Sequence, residues 1–594
     1  MKMKKQVYKD IYKIKKSILP IVFLNALLCA AEPFIFVYIS GYLLKFIIEA
    51  REISFIIKFS VAAAGISFAL HYIKNITENY KLEYGDYLNT NEKNILIKKL
   101  FLLDFKDLEA KDTKDKILRH KEESDGMSTI YMEAMYQFYN FTVNIISIII
   151  AIVSLISFYP ALSKSVDIRV FGSKYFPLLI IFLMLVIIYA LINFRKRAEE
   201  KNEIDRETYA KKYKIYDYYM RLLSDYESLK QIKIYDEKAF ILDDINENFV
   251  KSGLGLRKKI ARRTGFSEGM DDLLLSTLGI LFLIMLAIKA KGGLFGVDKL
   301  IIYYGAFKAL CEAAKELIKT IGEEKALEPK IAILYDILNL KSDKKFEVKK
   351  KDFTETLISV RDLSFSYPDS KITQLKNLDL EIRRGEKIAI VGENGSGKTT
   401  FVNLLTALYK ANEGILLIDG EVPSLDFTAK NIGVVSQDFY LFSFKLGENI
   451  ATSENYNADE CERVLKLANF EKAYDLEQYI YTDIDEDGVD ISGGESQKIA
   501  LARALYNDKD ILIFDEPTSK LDPKSEMKIF ESFNEAAKGK TVIFISHRMS
   551  ACKFADRVIL FHDGKIIDSA PHEELLKRNE KYKEMWSAQA KYFN

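Results

Sequence analysis

Gly392–Thr400 reads GENGSGKTT and follows the apolar run Ile388–Val391. The spacing G-x-x-x-x-G-K-[ST] lets Gly392, Glu393, Asn394, Gly395, Ser396 and Gly397 turn consecutive backbone N–H groups inward around a phosphate chain. FVNLLTALY then has a helical pattern, so the loop ends at a helix N-terminus whose partial positive charge favours the same anion. In that arrangement Lys398 reaches the β- and γ-phosphates, Thr399 holds Mg2+, and Thr400 completes the binding segment. A second stretch, ILIFDEP, ends an apolar strand at Asp515 and places Glu516 directly after it. A carboxylate at the carboxyl edge of a sheet suits Mg2+, and the one beside it suits orienting and deprotonating a water. Two adjacent buried acids are costly as structure alone. Together the two motifs predict hydrolysis of a nucleoside triphosphate, with Mg2+ as the metal.

The elements that must position these residues fall into two regions of different physics. From about Leu340, apolar strands alternate with amphipathic helices, the pattern of a parallel α/β sheet. Before about residue 325 the chain carries long apolar runs instead: Ile18–Ile48, Ile53–Ile73, Phe138–Tyr159, Tyr175–Phe194, Leu273–Ile288 and a more amphipathic Leu300–Ile321. A hydrocarbon core takes roughly 20 apolar helical residues, which predicts six membrane helices. Seven lysines between Lys2 and Lys16 precede the first run. They could open a signal peptide, but the run resumes past Glu32-Pro33, so an uncleaved first helix with a cytoplasmic leader is expected. Orientation then alternates: Glu49–Glu52, Pro160–Lys174 and Lys289–Lys299 become short outer loops. Lys74–Gln137 and Arg195–Asp272 become long, charged inner segments continuing the helices into the cytoplasm, which puts both termini there. Lys341–Lys351 is the expected connector, dividing 1–340 from 341–594.

Composition narrows the function classes. Across 594 residues, Lys+Arg 86 against Asp+Glu 85 leave a net charge of +1, so no basic excess points to nucleic acid. The four cysteines are scattered, without metal-ligand or disulfide spacing.

The order Tyr367, Gly392–Thr399, Gln437, Ser492–Glu495, Asp515-Glu516, Ser519–Asp522 and His547 resembles the nucleotide-binding domain of ABC transporters over Leu357–Leu576. With the preceding apolar segments the chain resembles an exporter-type half-transporter. The resemblance implies an α-helical six-span membrane domain followed by an α/β P-loop ATPase domain with an antiparallel β subdomain and a helical subdomain. It also implies that Tyr367 stacks on adenine, Gln437 touches Mg2+ or the water, Asp515 holds Mg2+, Glu516 is the catalytic carboxylate, and His547 bonds the γ-phosphate. Ser492, Gly493, Gly494, Glu495 and Asp522 act in trans, capping ATP held by the P-loop of a second half-transporter. A homodimer is favoured over a heterodimer, because Glu516 and most of the signature are intact. The expected setting is a bacterial plasma membrane. Importers of the same fold (siderophore type) and non-transporting regulatory membrane ATPases are the rival readings.

Three features depart from or extend the pattern. Asp485 and Asp487 in TDIDEDGVDIS replace the usual Gly and Arg. Glu495 replaces the usual Gln, in the first helical turn where the dipole favours an anion; whether it faces ribose or phosphate is open. Lys308, Glu312, Lys315, Glu316 and Lys319 recur along the sixth segment, and intramembrane charge is expected to face a cavity. Lys308 and Glu312 are therefore candidate contacts for a transported peptide or amphipathic small molecule, with Glu32, Glu133 and Asp271 as further candidates; alternatively the span ends near Phe307 and these charges form i,i+4 pairs on a solvated cytoplasmic helix. Leu102–Ile117 and Leu229–Phe240 resemble loops that dock on nucleotide domains.

Overall fold

The computed structural model describes residues 2–123, 128–157, 173, 175–340, 355–368, 370–472, 474–517, 538–546 and 549–590. Asp522, His547, the connector Lys341–Lys351 and, apart from Ser173, the outer loop Pro160–Lys174 lie outside the described residues. The chain divides into two units: Met1–Lys98 with Leu118–Asn339, and Lys99–Ile117 with Leu340–Asn594.

The first unit is helical. The lysine leader forms α1 (Lys2–Ile14) and is followed by α2 (Ile18–Ile48) and α3 (Ile53–Phe101). After α4 (Phe105–Glu109), a helix of the second unit, come α5 (Ile130–Ile156), α6 (Phe176–Ser224), α7 (Leu254–Lys291) and α8 (Val297–Leu338). The helix leading into α7 contains a π-helical stretch at Asn246–Gly253. α2 continues through Pro33, which sits inside the helix. α3 and α6 have 49 residues each. At about 1.5 Å per residue each spans about 74 Å, more than twice a hydrocarbon core of about 30 Å. The excess carries the charged residues that the sequence assigned to the long inner segments.

Among the described residues, five helices are long and apolar enough to cross a membrane: Ile18–Ile48, Ile53–Phe101, Ile130–Ile156, Phe176–Ser224 and Lys238–Lys291. The sixth expected span lies in α8, which is long enough but is interrupted by Lys308, Glu312, Lys315, Glu316 and Lys319. The most apolar window of α3 has no residue buried inside the fold. An apolar face of that size without a protein cover is suited to lipid. The unit's interior has two main apolar clusters. Val7, Ile11, Ile18, Leu88, Met135 and Ile331 join α1, α2, α3, α5 and α8, while Ile180, Met285 and Phe307 join α6, α7 and α8. Phe282 and Phe307 stack at 4.0 Å between α7 and α8.

The second unit contains two sheets. β1 (Thr356–Phe365), β2 (Leu375–Arg383) and β4 (Glu413–Ile418) form an antiparallel sheet in the order β2-β1-β4. The other sheet has the order β5-β6-β7-β3-β8-β9, with β3 (Lys387–Gly392), β5 (Ile432–Val435), β6 (Ile511–Asp515), β7 (Thr541–Ile545), β8 (Arg557–His562) and β9 (Lys565–Ala570). All its pairings are parallel except β8 with β9. Every residue of β6 and β7 is buried, which is why both read as continuous apolar runs rather than alternating ones. Their carboxyl ends, with that of β3, form the edge where an α/β sheet binds ligands.

Candidate nucleotide site

β3 runs into the phosphate loop, and α9 (Lys398–Leu405) starts directly after it. Gly397, its N-cap residue, has φ +103, and a Cβ there would lie 2.6 Å from Leu375 Cδ2 and 3.1 Å from the Gln374 oxygen. Only glycine fits both the backbone and the space. Lys398 is 4 % exposed. Its ammonium donates to the carbonyls of Gly392 at 2.9 Å and Glu393 at 2.8 Å, and lies 3.5 Å from Ser396 Oγ. Burial lowers its pKa, while Glu516 and Asp515 act the other way. Thr399 is exposed at the loop's mouth; Thr400 is buried and its Oγ1 lies 3.1 Å from the Tyr367 hydroxyl.

Asp515 closes β6 at 2 % exposure, and its Oδ1 is buried without a hydrogen-bond partner. Burial pushes its carboxyl up to about 6 against the Thr399 hydroxyl and Lys398, with Glu516 adding to the rise. A buried carboxylate oxygen left without a donor is what a hard cation requires, and Mg2+ is typically held by one or two carboxylates plus substrate phosphates. The donor set therefore fits Mg2+. Glu516 has φ +52, a left-handed conformation that a non-glycine residue keeps only when its surroundings enforce it. Here its N–H donates to the Ile545 carbonyl at 2.9 Å, and Gln497 Nε2 donates to its carbonyl at 3.3 Å. The turn aims the side chain at Gln437, whose Nε2 donates to Glu516 Oε2 at 3.1 Å. Lys398, Asp515, Glu516 and Gln437 are thus gathered at one sheet edge.

Tyr367 is half-buried. Its hydroxyl accepts from Asn403 at 3.2 Å, and its ring meets Phe365 and Tyr409 edge-on, each at 5.1 Å. Tyr409 in turn links to α4: its hydroxyl donates to the Glu109 carboxylate, and its ring is edge-on to Phe105 at 5.6 Å. The Leu102–Ile117 segment therefore belongs to the nucleotide unit, held next to the phosphate-loop helix by an aromatic chain. Leu229–Phe240 belongs to the first unit.

The signature residues form a separate cluster. Ser492 is the N-cap of α10 (Gly493–Tyr506), and Glu495 is its third helical residue in a reciprocal capping box. Glu495 N–H donates to Ser492 Oγ at 3.4 Å; Glu495 Oε2 accepts the Ser492 N–H at 2.9 Å and hydroxyl at 2.7 Å. Glu495 Oε1 pairs with Lys472 at 2.7 Å. Burial acts to raise its pKa, but Lys472 and the two Ser492 donors outweigh it and hold the carboxyl down at about 2. The open choice between ribose and phosphate resolves into neither: the carboxylate turns back on its own helix. The S-x-x-E spacing was a readable sign of this capping box. Lys472, Gln497 and Tyr409 carried no such sign, because their partners lie far away in sequence.

The charged candidates of the helical unit are paired. Lys308 and Glu312 stand 3.7 Å apart on α8, with both side chains well exposed. Glu32 contacts His71 at 3.1 Å and also Lys74, Glu133 meets Lys330 at 3.0 Å, and Asp271 accepts from Arg195 Nε at 2.7 Å.

A phosphate loop on β3, acids at the end of β6 and a preceding set of apolar helices define a membrane-linked P-loop ATPase. The ABC transporter family matches residues 375–519. Subtilin transport ATP-binding protein SpaT of Bacillus subtilis is 29% identical over 605 residues, covering 98% of this chain and 94% of that protein. An ATP-dependent lipid A-core flippase of Mannheimia succiniciproducens is 37% identical over 263 residues, covering 43% of this chain and 45% of the flippase. In fold, a bacterial Atm1-family ABC exporter solved with ATP bound is similar with TM-score 0.75, at 20% identity, covering 97% of this chain and 98% of that one. Residues 375–519 thus carry the ABC transporter ATPase domain, and over nearly its whole length the chain is similar to ABC transport proteins and shares the fold of an ABC exporter.

Proposed function

We propose that two copies of this chain form a plasma-membrane exporter, each ATP lying between the phosphate loop of one copy and Ser492–Glu495 of the other. The observation that carries this reading is the division of the site into two clusters. Lys398, Asp515, Glu516 and Gln437 meet at the sheet edge, whereas Ser492 and Glu495 bond to each other, Lys472 and Ser496. In the first cluster Gly392–Thr400 and Lys398 bind the phosphates, Tyr367 sits beside the base, and Glu516, steadied by Gln437, takes the proton of the attacking water. Thr399, Gln437 and Asp515 would hold Mg2+, which neutralises phosphate charge when bound. His547 bonds the γ-phosphate, and Asp522 reaches across to the other copy.

Closure of the nucleotide units drives a helical unit of six spans, counting α8, from inward- to outward-facing, with a boundary at 340/341 and both termini cytoplasmic. The cargo is a peptide or amphipathic small molecule. The relatives named for subtilin transport and lipid A-core flipping support an amphipathic class, and the exposed Lys308–Glu312 pair offers it polar contacts.

Cross-linking tests the shared site. The four native cysteines are all free and are first replaced by serine. Asn394→Cys and Ser492→Cys are then placed on separate copies in the Glu516→Gln background. A cross-linked dimer that forms only with MgATP is expected; cross-linking within single chains, or none, overturns the shared site.

A further inference from the structure

We infer that Lys472 is a positioning residue for ATP capture: it carries the charge of Glu495, so that the Ser492 hydroxyl is released to donate to phosphate on a second copy. This rests on the trans role of Ser492 given above. A serine hydroxyl has one proton to donate. Here that proton goes to Glu495 Oε2 at 2.7 Å, and a hydroxyl so committed turns only lone pairs outward. Phosphate accepts hydrogen bonds and cannot use them.

The hydroxyl can be released at low cost only if the carboxylate keeps other donors. It has two: the Ser492 N–H at 2.9 Å, which the capping box retains, and the Lys472 ammonium at 2.7 Å on the other oxygen. Lys472 is exposed but not free to wander, since Nζ also contacts the Tyr474 hydroxyl at 3.1 Å and lies 5.4 Å from that ring's centre. Its positive charge also offsets the like-charge repulsion that a bare Glu495 carboxylate would exert on phosphate. An amide at position 495 has no charge to offset and turns an NH2 group, not an acceptor, towards the ammonium. The need for Lys472 is therefore created by the acid.

The test is a two-by-two set of full-length variants, with ATPase KM and kcat read separately. In the native background Lys472→Ala raises KM for MgATP about fivefold with kcat changed less than about twofold, the scale of an exposed ion pair; Lys472→Arg restores it. In the Glu495→Gln background Lys472→Ala adds less than about twofold. An equal loss in both backgrounds, or an unchanged KM in the native one, overturns the inference. An unmutated chain that binds and hydrolyses no ATP overturns instead the nucleotide-site reading beneath it.

Discussion

Asp515 and Glu495 are both acids of the proposed nucleotide site, and their surroundings push them in opposite directions. Asp515 lies at the end of an all-buried strand, with an orphaned oxygen and a carboxyl raised to about 6 by burial. Glu495 keeps 15% side-chain exposure, has three donors, and is held at about 2 by Lys472 and Ser492 against burial. The first is left incomplete by the protein, which suits the proposed Mg2+ ligand; the second is completed by the protein. An unsatisfied buried carboxylate marks a binding group, whereas a satisfied one marks a support.

The largest effect that could sharpen this contrast belongs to the neighbour of Asp515. Glu516→Gln removes the proton acceptor while keeping size and the contact to Gln437, so ATPase turnover should fall by about a hundredfold or more, the scale of general-base loss. Binding of a fluorescent ATP analogue should persist; near-native turnover would remove Glu516 from the catalytic role.

The same acid-to-amide change at the two compared positions comes next. Asp515→Asn should cut activity by about ten- to a hundredfold and shift the Mg2+ activation curve upward. Glu495→Gln should change the rate by less than about tenfold, since the capping acceptor survives as an amide oxygen. Equal losses from both would erase the distinction between the binding acid and the supporting one.

The smallest effect is on acid stability. The folded-state pKa of Glu495 lies near 2, below its ordinary 4.5. Its contribution is complete above the ordinary value and is lost as pH falls from there towards about 2. Thermal unfolding of the detergent-solubilised protein should therefore fall less steeply over that window in Glu495→Gln. Parallel curves for the two proteins would show that Lys472 and Ser492 do not hold the acid in solution.

The phosphate loop was legible because its function depends on local spacing: GENGSGKTT needs only its own glycines and the strand before it. Asp515-Glu516 was legible for the same reason, as the polar end of an apolar run. Among the described residues five apolar spans meet the hydropathy expected of them, whereas the segment read as the sixth, Leu300–Ile321 in α8, does not, since Lys308, Glu312, Lys315, Glu316 and Lys319 break its apolar window. The acid at 495 was visible as a departure, but its direction was not. The capping box could have been read from S-x-x-E, whereas the ion pair depends on Lys472, 23 residues upstream (495 − 472).

By itself the sequence determined the chemistry that short stretches can hold: a phosphate cradle, an acid at a strand end, apolar runs long enough to meet lipid. Such features depend on neighbours a few residues away, where chain geometry leaves little freedom. Only the tertiary structure decided that Lys99–Ile117 joins the nucleotide unit through Tyr409, and that the backbone of Glu516 is forced left-handed by Ile545 and Gln497. It likewise decided that Glu495 is neutralised rather than left facing phosphate. Those outcomes depend on which distant groups packing brings within hydrogen-bond reach, and local spacing carries no record of that.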